Sequence, residues 1–111
     1  MTTQLVVTGA AGRMGATIIA MAARDEGYEL AGVVERPACK KDLDTFVCTA
    51  GTSLDEVLPK TPGAVVVDFT APEATVEAAK TCARHGNPLV AGTTGLDKDQ
   101  LAAVQEAAAQ A

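Results

Sequence analysis

Three glycines in seven residues, Gly9, Gly12 and Gly15, stand between an apolar run and an amphipathic stretch. A residue without a Cβ tolerates a sharp turn and lets other atoms come close to the main chain. That combination suits anion binding. Gly9 turns the chain off a strand, Gly12 admits a diphosphate to the backbone, and Gly15 lets the following helix lie close to the strand. The start of that helix offers free N–H groups and a partial positive charge. The spacing is G-x-x-G-x-x-G rather than G-x-G-x-x-G, so the glycines alone fit an ordinary turn equally well. Context separates the two. Glu35 lies 20 residues beyond Gly15, where a dinucleotide-binding fingerprint places the carboxylate that takes a ribose hydroxyl.

Other residues around this stretch are open to two readings. Glu35 beside Arg36 is either a cofactor selector or an exposed ion pair worth ~0–1 kcal/mol. As a selector, the carboxylate favours the free 2′-hydroxyl of NAD and the guanidinium pairs with the 2′-phosphate of NADP. Having both predicts use of NADH and NADPH. Arg13 either reaches the phosphates or stands as a solvated charge in the first helical turn. Lys40 and Lys41 are a solvated pair or an attractor for a 2′-phosphate. Asp68 is either catalytic, for which the sequence supplies no partner, or a strand-end residue that bonds nearby N–H groups, and the second reading is preferred. Thr70 reads as a helix cap, a cofactor neighbour, or both. His85, alone before Gly86, suits the last turn of a helix, where the dipole favours it.

The elements that must position these residues alternate. Residues 4–8 form a short strand around Val6 and Val7. From residue 13 to about 25 the period becomes helical, with Met14, Ile18, Met21 and Ala22 on one stripe. Residues 29–34 are a second strand, ended at Pro37, and residues 46–48 a short third one. Ser53 and Glu56 match a capping box and open a short helix to Leu58. Residues 64–68, with three consecutive valines, read as a strand buried on both faces. Thr70 to Glu73 signals a helix start that carries proline in its first turn, and Gly86 stops that helix. Residues 88–91 are the fifth strand. Asp97, with Gln100 three residues on, opens an alanine-rich helix over 98–110.

This order predicts an α/β fold, a doubly wound parallel sheet of Rossmann type with helices on both faces. The expected strand order is 3-2-1-4-5, with the switch between strands 1 and 4. Loops 9–15, 68–70 and 92–95 then converge at the carboxyl ends of the strands, where ligands bind in such sheets.

At 111 residues the chain is one domain at most, and its 48% hydrophobic content can build a core. The net charge of −5 excludes a basic nucleic-acid surface. No run reaches the ~18 apolar residues of a membrane span. The chain opens directly on a strand, so no secretion signal is expected. Cys39, Cys48 and Cys82 are odd in number and unpaired in spacing, which suits free thiols in a cytoplasmic protein. One histidine and no C-x-x-C pair make a metal site unexpected.

Four blocks of the sequence resemble one family in order. They are Gly9-Ala10-Ala11-Gly12-Arg13-Met14-Gly15, Glu35-Arg36, Asp68-Phe69-Thr70-Ala71-Pro72-Glu73-Ala74-Thr75 and Gly92-Thr93-Thr94-Gly95. Together they resemble the nucleotide-binding part of bacterial dihydrodipicolinate reductases, which use NADH or NADPH in lysine and diaminopimelate biosynthesis. The resemblance implies that Gly9, Ala10, Ala11, Gly12, Arg13 and Met14 hold the pyrophosphate, with Gly15 completing the loop. It implies that Glu35 accepts hydrogen bonds from the adenosine ribose, and that Arg36 meets a 2′-phosphate or lies against adenine. Gly92, Thr93 and Thr94 would line the nicotinamide end, with Phe69 and Thr70 bordering the same crevice.

Two departures from the family stand out. The stretch between Glu35 and Ser53 is shorter than is usual, and the family's substrate domain would lie beyond Ala111. Residues 1–111 are therefore expected to be a dinucleotide-binding domain with no catalytic residue of its own and an incomplete sheet. The family's enzymes act on a small molecule and are usually tetramers. Two other functions fit parts of the pattern. One is a short-chain dehydrogenase or epimerase, but Tyr28 lacks the lysine four residues on that such enzymes need. The other is a non-catalytic nucleotide- or CoA-binding module.

Overall fold

The computed structural model describes residues 3–10, 13–35, 48–92 and 97–110, and the side chains of the last helix through residue 105. In chain order the elements are β1 (Thr3–Thr8), α1 (Arg13–Ala23), β2 (Tyr28–Val34), β3 (Thr49–Gly51) and α2 (Leu54–Val57). A 3-10 turn (Leu58–Lys60) follows, then β4 (Val65–Asp68), α3 (Pro72–His85), β5 (Leu89–Ala91) and α4 (Lys98–Gln110).

The described strands form one sheet in the order β3-β2-β1-β4-β5. Every neighbouring pair is parallel. This is the expected doubly wound α/β architecture, with its reversal between β1 and β4. Parallel neighbours need crossover connections, and α1, α2 and α3 lie in those that follow β1, β3 and β4. α2 and α3 cover one face, where Val6, Val34 and Val66 pack with Leu54, Val57, Leu58, Ala78 and Cys82. α1 covers the other face, where Ile19 packs with Ala10 and Val33. The register sets Thr8 opposite Asp68 at the carboxyl ends of β1 and β4.

The phase of α1 differs from the expected stripe. Met14 and Met21 are 49% and 67% exposed. The inward positions are Gly15 and Ala22, with Ile18 and Ile19 half-buried between them. The helical period holds, but its centre is set by the smallest residue rather than the largest. A Cβ on Gly15 would run into the carbonyl oxygen of Gly9 and lie 2.9 Å from its carbon. Only glycine lets α1 pack this close, and that contact turns both methionines outward.

The third strand is also displaced from its expected place. It spans Thr49–Gly51 and pairs with the end of β2. Phe46 and Val47 lie outside the described residues, and Cys48 precedes the strand. The capping box forms with one change. Ser53 Oγ accepts from Glu56 N–H at 3.3 Å, while Glu56 Oε1 reaches past the cap to Thr52 N–H at 3.1 Å. The last helix opens as expected, with Asp97 N–H donating to Gln100 Oε1 and Gln100 N–H to Asp97 Oδ1.

Candidate functional site

A cleft of about 750 Å³ opens at the carboxyl ends of β1, β2 and β4. Thr8, Gly9, Val34 and Asp68 form its floor. Phe69, Thr70 and the Ala71, Ala74 and Ala78 face of α3 form one wall. Thr52 to Asp55 at the start of α2 form the other, and Glu35 stands on the rim.

Gly9 starts the turn at the end of β1 with φ 67°, a left-handed conformation that L side chains rarely adopt. Its N–H donates to Val34 O at 2.9 Å, which ties the turn to β2. Ala10 is buried against Val33. Arg13 and Met14 are exposed at the start of α1, and Gly15 is packed beneath Gly9. Ala11, Gly12, Arg36, Thr93 and Thr94 lie outside the described residues.

Of the described candidates, Gly9, Glu35, Phe69 and Thr70 line one cleft. Gly92, directly after β5, does not line the cleft but sits against two residues that do. Its N–H donates to Asp68 O at 2.8 Å, and a Cβ there would collide with the Phe69 ring. Glu35 is half-buried, and its N–H donates to Gly51 O at 3.2 Å. A glycine turn at the end of β1 ahead of a helix, with a carboxylate at the end of the neighbouring strand, is chemically suited to a diphosphate and an adjoining sugar.

Asp68 is 1% exposed at the end of β4, and in the bonds described its side chain accepts from hydroxyls. Oδ1 accepts from Thr8 Oγ1 at 2.5 Å and Thr70 Oγ1 at 2.8 Å, and Oδ2 accepts from Thr75 Oγ1 at 2.5 Å. Thr70 stands one residue before the cap of α3 rather than at it. The N-cap is Ala71, without a side-chain cap bond, and Pro72 enters the first turn, where its missing N–H costs little.

Thr8 and Thr75 were not among the residues singled out by sequence. Aligning the valine runs of β1 and β4 would have set Thr8 against Asp68, but Thr75 carries no local signal of its own. The α2–α3 wall was missed as well, because it joins segments far apart in the chain.

On the outer side, Asp55 pairs with His85 Nε2 at 3.0 Å and Arg84 Nη2 at 3.1 Å. Hydrogen bonds from His85, then Arg84, hold its carboxyl below the usual 3.8. Any stability from this depressed value is present at neutral pH and lost as pH falls through the acid range. Asp55 is exposed, so solvent screens the pairing. Cys82 is on the buried face of α3. Desolvation, reinforced by the Asp68 charge, pushes its thiol up to about 11. Among the described residues, no group of three or more His, Cys, Asp or Glu side chains could hold a metal ion. None of the described helices is long and apolar enough to cross a membrane.

The family model for the N-terminus of dihydrodipicolinate reductase matches residues 3–111. The chain belongs to the dihydrodipicolinate reductase family. The 4-hydroxy-tetrahydrodipicolinate reductase of Oleidesulfovibrio alaskensis is 48% identical over 110 residues, which cover 99% of this chain and 42% of that protein. The enzyme of the same name from Nitratidesulfovibrio vulgaris strain DP4 is 44% identical with the same coverage. This member thus spans less than half the length of these curated relatives. A dipicolinate-bound dihydrodipicolinate reductase from Paenisporosarcina sp. TG-14 superposes with a TM-score of 0.80 at 21% identity. The match covers 97% of this chain and 43% of that one, and it shows a shared fold.

Proposed function

We propose that this chain is the NADH- and NADPH-binding domain of a reductase that delivers hydride to a dihydrodipicolinate precursor in lysine and diaminopimelate biosynthesis. The observation that carries this reading is the cleft at the β1–β4 switch point, floored by Gly9 and rimmed by Glu35, in a member of this family. In this reading residues 1–111 are the dinucleotide-binding domain, and a separate domain of the reductase holds and protonates the small-molecule substrate.

Gly9, Ala10, Ala11, Gly12, Arg13 and Met14 hold the pyrophosphate, and Gly15 keeps α1 close beneath it. Glu35 takes the adenosine ribose hydroxyls, and Arg36 meets the 2′-phosphate of NADPH. Phe69, Thr70, Gly92, Thr93 and Thr94 border the nicotinamide. The cofactor supplies the hydride, and these residues bind it, orient its ring and exclude water.

Calorimetric titration of NADH, NADPH and CoA into the polypeptide carrying this chain tests the reading. Both nicotinamide cofactors are expected to bind and CoA not to bind. Glu35→Ala is expected to weaken NADH about tenfold, as a ribose hydroxyl loses a charged acceptor. Binding of CoA with neither nicotinamide cofactor would replace the reductase with a nucleotide-binding module.

A further inference from the structure

We infer that Asp68 is a positioning residue for the dinucleotide. It fixes the mouth of the cleft by joining the loops that form it. This rests on the cofactor-binding reading above.

One residue reaches four segments. Through its side chain Asp68 holds Thr8, the last residue of β1 before the Gly9 turn. It holds Thr70, in the connection from β4 to α3, and Thr75, inside α3. Through its carbonyl it holds Gly92, directly after β5. Thr70 passes the constraint onward, since a Cβ on Gly9 would lie 3.2 Å from Thr70 Cγ2. The turn that would receive the diphosphate and Thr70, at the nicotinamide border, are therefore set relative to one another by the same carboxylate, and Gly92 by the main chain of the same residue.

The chemistry requires an acid at this position. A buried carboxylate is costly unless hydrogen bonds replace its water. Three hydroxyls donate to it here, and a carboxylate offers acceptors only. An amide would present an NH₂ group to at least one hydroxyl that now donates. The network would have to reorient, and the loops it joins would lose their common anchor. Packing alone would not ask for this arrangement, because valine fills the volume of threonine without needing a partner.

Thr75 separates positioning from ligand contact. It is fully buried and does not line the cleft. Thr61 supplies the control. It is also buried, and its hydroxyl bonds Val57 O at 3.2 Å, outside the network and the cleft. The experiment measures NADH binding by fluorescence titration of the polypeptide carrying this chain, alongside cofactor-free melting. Asp68→Asn and Thr75→Val are expected to weaken binding about tenfold, with Thr75→Ser restoring it. Thr61→Val is expected to lower the melting temperature while leaving NADH affinity within about twofold of the parent.

Should Asp68→Asn fail to fold, the Thr75 pair decides, since valine is isosteric with threonine. Parent-like NADH affinity in Thr75→Val overturns the inference, and so does equal weakening in Thr61→Val. Either result leaves the cofactor reading standing. A parent protein that binds neither NADH nor NADPH overturns both.

Discussion

Asp68 and Cys82 lie close in the core yet have opposite chemistry. Three hydroxyls donate to the acid, while the thiol is driven toward its neutral form by burial and by that same acid. At pH 8 a thiol raised from 9.0 to about 11 carries about a hundredfold less thiolate. Cys82 should therefore resist an aromatic disulfide reagent in the folded protein and react once guanidinium unfolds it. Mass mapping of the labelled peptide checks this, and native labelling of Cys82 at the rate of a free thiol would refute it. The residue scale is also where sequence reading was weakest. The type of Thr70 announced a helix cap, but the cap is Ala71, and the Thr70 hydroxyl donates to Asp68, two residues earlier in the chain. The place of Glu35 at the cleft was legible because it follows from a spacing along the chain. Thr75 was not, because only tertiary packing gives it a role.

At the scale of elements, hydrophobic period gave the sheet, its strand order and the alternation of helices, since each parallel strand needs a crossover. It misplaced the inner stripe of α1, because the stripe was drawn through the bulkiest residues while the packing is centred on the smallest. This makes Gly15 a test with a clear sign. Helix propensity alone predicts that Gly15→Ala stabilises α1 by about 1 kcal/mol. Packing predicts the reverse, because the new methyl meets the Gly9 carbonyl group. Relieving that overlap forces α1 off the sheet, at a cost of about 1–3 kcal/mol. Urea unfolding of the parent and Gly15→Ala proteins decides between them. A higher midpoint in the variant would show that α1 does not rest on the Gly9 turn. The third strand shows a different limit. Its three residues carry little pattern of their own, and pairing with the end of β2 sets their place.

For the molecule as a whole, the radius of gyration of 13.1 Å is that of a packed domain of about a hundred residues. Its charge is unevenly matched to the proposed ligand. The chain carries a net charge of −5, and Glu35, Asp55 and Glu77 all line the cleft. NADPH differs from NADH by a 2′-phosphate, which adds further negative charge. Asp55 is partly offset by Arg84 and His85 on the outer side, but Glu35 would stand beside the ribose itself. In the proposed site, Arg36 must then offset carboxylate repulsion for NADPH to bind at all well. Arg36→Ala is accordingly expected to weaken NADPH about tenfold relative to NADH, as a charge-assisted phosphate contact is lost. With Arg36 gone the carboxylates of the cleft dominate, so the NADPH deficit of that variant should shrink as salt shortens the Debye length from about 30 Å at 0.01 M to about 8 Å at 0.15 M. Titrating both cofactors at the two ionic strengths measures this. An NADPH-to-NADH affinity ratio that Arg36→Ala leaves unchanged would remove Arg36 from selection, and selectivity would then rest on the carboxylates of the cleft.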